Sequence, residues 1–70
     1  MNLFSAVEGK EYLIKSIKTN DKELDAFLFS LGCYEGSPIT VIAHRRDGLV
    51  VAIKDSRYSI DKALAEAIEL

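Results

Sequence analysis

The sequence predicts a mainly β domain, a small barrel of about five strands with one helix after the first strand and a short helical turn before the last strand. Two runs rich in β-branched residues, 39–43 and 49–54, are typical of paired strands. An apolar stripe at helical spacing precedes them, and Gly32 and Gly36 stand where the period changes. These features predict the architecture better than they predict any chemistry.

The length predicts one domain over residues 1–70. A chain of 70 residues buries only about 60% of its unfolded surface, so it cannot divide its core between two modules. Hydrophobic residues make up 49% of the sequence and charged residues 29%, which is the composition of a globular domain and not of a linker.

The first strand is predicted over residues 11–17, where β-forming residues lie between turn residues. The odd spacing of Ile14 and Ile17 favours a bulge or a bend within it. Before the strand, Leu3 and Val7 are expected to pack across one end of the barrel.

A helix is predicted next, because Asn20 and Asp21 offer N-cap oxygens. With Asn20 as the cap, Glu23 falls at the third helical position, as in a capping box. Gly32 suits the left-handed position that ends many helices. One apolar stripe is expected to face the core, formed by Leu24, Phe27, Leu28 and Leu31.

The runs 39–43 and 49–54 are predicted to form an antiparallel hairpin, since the Asp47-Gly48 pair between them is a strong hairpin signal. A second turn is expected at Asp55-Ser56, before a fourth strand over 57–61 whose residues alternate.

The last ten residues allow two interpretations. Asp61 is predicted to cap a short helix over 62–66, and the chain after it continues either as a helix to the end or as a final strand over 68–70. We favour the strand, because an antiparallel sheet this small gains most from having its edges paired.

Charge and cysteine content limit the classes of function. The net charge is -2, and the nine Lys and Arg residues form no dominant cluster, which argues against nucleic-acid binding. Cys33 is the only cysteine, which favours a reducing cytosol over secretion. No apolar run approaches the roughly 20 residues of a membrane span, so we expect no direct membrane insertion.

Catalytic and metal-binding signatures are missing from the sequence. There is no P-loop, HExxH, CxxC or GxSxG motif, so we predict no enzyme and no catalytic residues. Cys33 and His44 are the only soft metal ligands, which argues against an intrinsic metal site or cofactor. Carboxylates such as Glu8, Glu11 and Glu35 are interpreted as solvated side chains.

A partner-binding surface remains at the segment 31–38, which we call the corner. Tyr34 and Pro38 stand on either side of Gly36, and an aromatic ring beside a glycine leaves side chain and backbone open to contact. The alternative is structural: Tyr34 packs over the barrel mouth, and Gly32 and Gly36 only supply positive φ angles.

In order and spacing the chain resembles the ferrous-iron transport accessory protein A family (FeoA) over nearly its whole length. The resemblance rests on Gly9, Ile14, Ile17, Leu31-Gly32, Gly36, Ile39, Val41, Arg57, Ser59-Ile60, Ala63, Ala67 and Ile68-Glu69-Leu70. Two positions depart from the family pattern: Glu35 replaces a common proline, and Asp55 stands where a glycine is usual.

The resemblance implies an SH3-like barrel in the cytoplasm that supports a membrane ferrous-iron transporter with a cytosolic GTPase domain (FeoB). It implies a binding module and no enzyme, with its oligomeric state left open. The module is also similar to the C-terminal domain of iron- and manganese-dependent repressors, so the second hypothesis is a regulatory or transition-metal-binding domain acting with such a repressor. The expected partner contacts are at Leu31, Gly32, Cys33, Tyr34, Glu35, Gly36 and Pro38.

Overall fold

The computed structural model describes residues 1–70 and arranges six strands in two antiparallel sheets, so the predicted mainly β class is confirmed. The larger sheet has the order β1-β3-β4-β5, formed by β1 (Glu11–Leu13), β3 (Pro38–Arg45), β4 (Gly48–Ile53) and β5 (Ser56–Asp61). The smaller sheet pairs β2 (Ser16–Ile17) with β6 (Ile68–Glu69). The helices are α1 (Lys22–Leu31), α2 (Lys62–Ala67) and a short 3-10 turn over Leu3–Ser5.

The predicted first strand is bent into β1 and β2, which belong to different sheets. Ile14 lies at the bend with 2% of its surface exposed, so the irregular spacing of Ile14 and Ile17 marks a real change of direction. Ile17 then pairs with Ile68 of β6, which confirms the final strand. The alternative of a helix running to the last residue is wrong, because α2 ends at Ala67.

The N-terminal cap of α1 is Asp21 and not Asn20. The Asp21 Oδ1 atom accepts a hydrogen bond from the Leu24 amide at 3.1 Å. Asn20 has a φ of 64°, a left-handed conformation that turns the chain before the helix begins. The predicted capping box is therefore wrong by one residue, whereas the predicted end at Gly32 is confirmed.

Two predicted core contacts are wrong. Phe27 is 57% exposed, although it lies on the predicted stripe, because only the row through Leu28 is fully covered by this small barrel. Val7 is 62% exposed, and Ala6 beside it is buried in its place. Leu3 is completely buried, as predicted.

The central hairpin is confirmed. Strands β3 and β4 pair from Thr40–Ala52 to Arg45–Gly48, with a register shift in β3 between Val41 and Ala43. Gly48 is the first residue of β4, and a Cβ atom there would lie 2.0 Å from the Ile60 carbonyl oxygen of β5. This glycine is therefore required by the close approach of two strands. The second turn comes one residue earlier than predicted, with Lys54 at a φ of 55°.

A single cluster of twelve buried hydrophobic residues fills the space between the sheets and the helices. The 3-10 turn, the bend, both helices and the strands β3, β4 and β6 all contribute to it. Its members are Leu3, Ala6, Ile14, Leu28, Cys33, Ile39, Val41, Leu49, Val51, Ile53, Ala65 and Ile68.

Candidate docking site at the end of the first helix

The corner begins at the C-terminal cap of α1, which is closed by backbone hydrogen bonds. Gly32 has a φ of 90°, and its amide donates to the carbonyl oxygen of Phe29 at 3.0 Å. The Cys33 amide donates to the Leu28 carbonyl oxygen at 2.9 Å. These bonds form a Schellman motif, so the direction in which the chain leaves the helix is fixed by backbone geometry.

A tight turn follows at Tyr34–Ser37. The Ser37 amide donates to the Tyr34 carbonyl oxygen at 3.0 Å, and Gly36 has a φ of 87°, as in a type II turn. The buried Ser37 hydroxyl donates to the Tyr34 carbonyl oxygen at 2.7 Å and accepts from the Tyr34 amide at 3.1 Å. The Gly36 amide donates to the Ile14 carbonyl oxygen at 2.7 Å, which fastens the turn to the end of β1.

The seven residues expected at the partner surface divide between interior and exterior. Gly32 and Cys33 are buried and Leu31 is half-buried. The exposed positions are Tyr34, Glu35, Gly36 and Pro38. The buried members therefore shape the corner, and only the exposed ones are free to touch another molecule.

The Tyr34 ring is held between two neighbours. Its centroid lies 4.9 Å from that of Phe29, with 35° between the ring planes. The Lys54 ammonium nitrogen lies 5.9 Å from the Tyr34 ring centroid. Phe29 remains 65% exposed, so it forms with Tyr34 an aromatic patch open to solvent.

Beside this patch is an open cleft of about 230 Å³. Its lining combines two aromatic rings, two carboxylate side chains and two apolar residues, namely Phe29, Tyr34, Asp25, Glu35, Ile17 and Cys33. Asp25 and Phe29 come from α1 and Ile17 comes from β2, while the segment 33–35 follows directly after the helix end. We call this feature the corner cleft.

Cys33 and His44 do not act together. Burial raises the pKa of the Cys33 thiol to about 11, so it is a poor nucleophile at neutral pH. His44 instead binds the N-terminal segment: its Nδ1 atom is 2.9 Å from Glu8 Oε2, and its Nε2 atom is 3.1 Å from the Phe4 carbonyl oxygen. The Glu8 carboxylate and the Phe4 carbonyl oxygen both favour the protonated imidazole, so they raise the pKa of His44.

Sequence reasoning missed three residues of the corner cleft: Ile17, Asp25 and Phe29. Phe29 lies off the apolar stripe of α1, and a large aromatic residue off such a stripe is the signal that identifies it. The contact between Phe29 and Tyr34 depends on the reversal of the chain at Gly32, which helical spacing alone does not describe.

The structure contains neither a group of metal-ligating side chains nor a helix that could span a membrane. No three His, Cys, Asp or Glu side chains converge anywhere in the chain. Neither helix has the length and apolar character that a bilayer crossing requires.

The sequence matches the family model described as FeoA domain over residues 1–70. No curated protein matches it in sequence.

Solved structures share the fold. Iron(II) transport protein A from Clostridium thermocellum superposes with a TM-score of 0.85 at 27% identity, over 99% of this chain and 43% of that one. A FeoA of Stenotrophomonas maltophilia, described as a prokaryotic SH3 domain protein complexed with zinc, superposes with a TM-score of 0.81 at 16% identity, over 97% of this chain and 86% of that one. A manganese-dependent transcriptional repressor superposes with a TM-score of 0.83 at 23% identity, over 97% of this chain and 39% of that one. The fold is therefore SH3-like, as predicted, and the chain spans less than half the length of two of these relatives.

Proposed function

Because the chain belongs to the FeoA family, whose members are accessory domains of ferrous-iron transport, we propose that it is a non-enzymatic cytoplasmic module that docks on a GTPase-bearing membrane iron transporter. The observation that carries the proposal is the aromatic patch of Phe29 and Tyr34, exposed beside a corner that backbone hydrogen bonds hold rigid. Exposed aromatic side chains on a rigid frame are typical anchors of protein interfaces.

The docking contacts are centred on the exposed part of the corner, Tyr34, Glu35, Gly36 and Pro38, with Leu31, Gly32 and Cys33 supporting them from below. Leu13 extends the same surface, since it is 64% exposed and is the register partner of Pro38. A cluster of exposed apolar side chains of this kind is uncommon on a small domain that acts alone.

The test is a titration of this domain against the cytosolic GTPase-bearing part of a ferrous-iron transporter. We expect the Phe29→Ala and Tyr34→Ala variants to bind at least about tenfold more weakly, as is usual for interface anchors. Phe27→Ala is the matched control, because Phe27 is a similarly exposed phenylalanine on the same helix but outside the corner cleft. Equal loss in the Phe27 and Phe29 variants, or no loss in either corner variant, would contradict the proposed surface.

A Leu31→Ala plus Tyr34→Ala double variant extends the test to the edge of the corner. Truncating a fully buried leucine costs about 2 to 5 kcal/mol of unfolding free energy, and Leu31 is half-buried. Circular dichroism must therefore show that the double variant is folded. Binding that is unchanged in a folded double variant would refute docking through the corner.

The second candidate is a regulatory or transition-metal-binding domain that acts with a metal-dependent DNA-binding repressor. It is supported only by the shared fold with the manganese-dependent repressor. Anaerobic calorimetry with Fe²⁺ or Mn²⁺ separates the two candidates: sub-micromolar binding would favour this one, and its absence with retained transporter binding would favour docking.

A further inference from the structure

The corner cleft has the size and the walls of a site for one long side chain. Its volume of about 230 Å³ is below the roughly 300 to 1,000 Å³ of ordinary small-molecule pockets. Ile17 is half-buried and Cys33 is 2% exposed, so the interior of the cleft is apolar. The open mouth beside Phe29 and Tyr34 leaves such a side chain a path from solvent.

The charges of the cleft are all of one sign. Asp25 and Glu35 contribute two carboxylates, and no lysine, arginine or histidine lines it. The ion pairs of the molecule lie elsewhere, between the N-terminal amine and Glu69 and between His44 and Glu8. Asp25 uses Oδ1 to accept a hydrogen bond from the Thr19 hydroxyl, and Glu35 makes no side-chain hydrogen bond. Two carboxylates without a cationic partner therefore stand beside an apolar interior.

The aromatic rings add a second attraction for a cation. A guanidinium or ammonium group is stabilised over the face of an aromatic ring within about 6 Å. The Lys54 ammonium at 5.9 Å from the Tyr34 centroid shows this chemistry already in use from outside the cleft. Phe29, at 65% exposure, keeps much of its ring free for a cation from another molecule.

We propose that the corner cleft binds an arginine side chain presented by a segment of a partner protein. The planar guanidinium stacks on Phe29 while its several N–H groups donate to the carboxylates of Asp25 and Glu35. The methylene stem lies against Ile17 and Cys33, as apolar stems of long cationic side chains commonly do. The identity of the partner as the iron transporter rests on the proposed function, whereas the arginine preference rests on the cleft alone.

The preference is tested without the transporter by titrating the ¹⁵N-labelled domain with N-acetylarginine amide. N-acetylcitrulline amide is the control probe, because it keeps the shape of arginine and lacks its charge. We expect saturable shifts of the Cys33, Tyr34 and Glu35 amides with the arginine probe, and at least about fivefold smaller shifts with the citrulline probe. Equal shifts with both probes, or no shifts at the corner, would overturn the proposal. So would concentration-dependent shifts of these amides without a probe, which would indicate that a second copy of the chain occupies the cleft.

Charge variants make the assignment specific. Asp25→Asn with Glu35→Gln removes both carboxylate charges and keeps hydrogen-bond acceptors, and both residues are exposed, so the fold is expected to persist. Asp47→Asn with Glu66→Gln is the matched control, since it makes the same change of net charge outside the cleft. We expect the first double variant to lose the arginine-specific shifts and the control to retain them. Retention in the first variant would overturn the role of the carboxylates.

The same variants separate this inference from the proposed function. For the transporter's cytosolic part, we expect the Asp25→Asn, Glu35→Gln variant to bind about tenfold more weakly and with a smaller dependence on salt. If the native domain binds the transporter but shows no corner shifts with the arginine probe, the arginine assignment is wrong and docking stands. If the native domain takes the arginine probe but not the transporter, the cleft assignment stands and the proposed partner is wrong.

Discussion

Replacing Gly48 with alanine is expected to destabilise this domain more than any other glycine-to-alanine change. The reason is a contact between strands and not an unusual backbone angle. A Cβ atom at position 48 would lie 2.0 Å from the Ile60 carbonyl oxygen and 3.0 Å from the Asp61 Cα atom. Carbon and oxygen atoms approach no closer than about 3.3 Å even in weak C–H···O contacts, so β4 and β5 must separate by more than about 1 Å at this point.

The magnitude follows from what that separation disrupts. Gly48 pairs with Asp61 and Leu49 with Ile60, and both atoms in the clash belong to backbone that cannot rotate away. Loss of about two ladder hydrogen bonds costs about 1 to 3 kcal/mol, and overpacking next to the buried Leu49 costs about 1 to 3 kcal/mol more. The alanine recovers about 0.4 to 1 kcal/mol by restricting the unfolded chain. We expect a net loss of about 3 kcal/mol.

The assay is urea unfolding followed by circular dichroism, with the Gly36→Ala variant as the control. Gly36 has a φ of 87°, and a Cβ atom there would meet nothing within 4 Å, so only the left-handed conformation is penalised, by about 1 kcal/mol. The Gly48 variant should therefore lose about three times as much free energy of unfolding. A Gly48 variant as stable as the Gly36 variant would refute the strand-contact argument.

Three further predictions concern other parts of the fold. The pKa of His44 is raised by its bond to Glu8, and that of Glu8 is lowered, so their contribution to stability is greatest between about pH 4.5 and 6.5. This contribution declines as pH rises through the raised His44 pKa or falls through the lowered Glu8 pKa. A His44→Gln variant should therefore show a smaller change of urea midpoint with pH outside that window, above about pH 6.5 and below about pH 4.5. Cys33, with a pKa of about 11, should react with iodoacetamide at pH 8 much more slowly in the folded protein than in urea; equal rates would contradict its burial. Leu28→Ala should lower the free energy of unfolding by about 2 to 5 kcal/mol, and a loss below 1 kcal/mol would show that α1 is not held by this contact.

The features that the sequence predicts correctly are governed by local chemistry. The end of α1 at Gly32 depends on one residue's access to positive φ, and the hairpin depends on two β-branched runs joined by a short turn. The bend in the first strand is visible because Ile14 and Ile17 violate strict alternation. Each of these signals lies within a few residues of the structure it produces.

The predictions fail where a residue's burial or contacts depend on elements distant from it in the sequence. Phe27 has the right helical spacing, but the width of the buried stripe depends on how much of α1 the sheets cover, and they cover little beyond Leu28. The sequence does not predict the corner cleft for the same reason, because Phe29 and Tyr34 meet only after the chain reverses at Gly32, and Ile17 reaches the cleft from a different element, β2. Helical periodicity specifies the direction of a side chain around the helix axis, and it carries no information on which other element packs against that side of the helix.

The pairing of β2 with β6 has a consequence for how the chain acquires this structure during synthesis. Ser16 pairs with Glu69 and Ile17 with Ile68, so the smaller sheet joins the first quarter of the chain to its last few residues. Closing so long a loop carries a large entropic penalty before any contact is made. A nascent chain can form the central hairpin while still attached to the ribosome, but the smaller sheet must wait until residue 69 has emerged. Folding of this domain is therefore expected to finish only after that last strand is free of the exit tunnel.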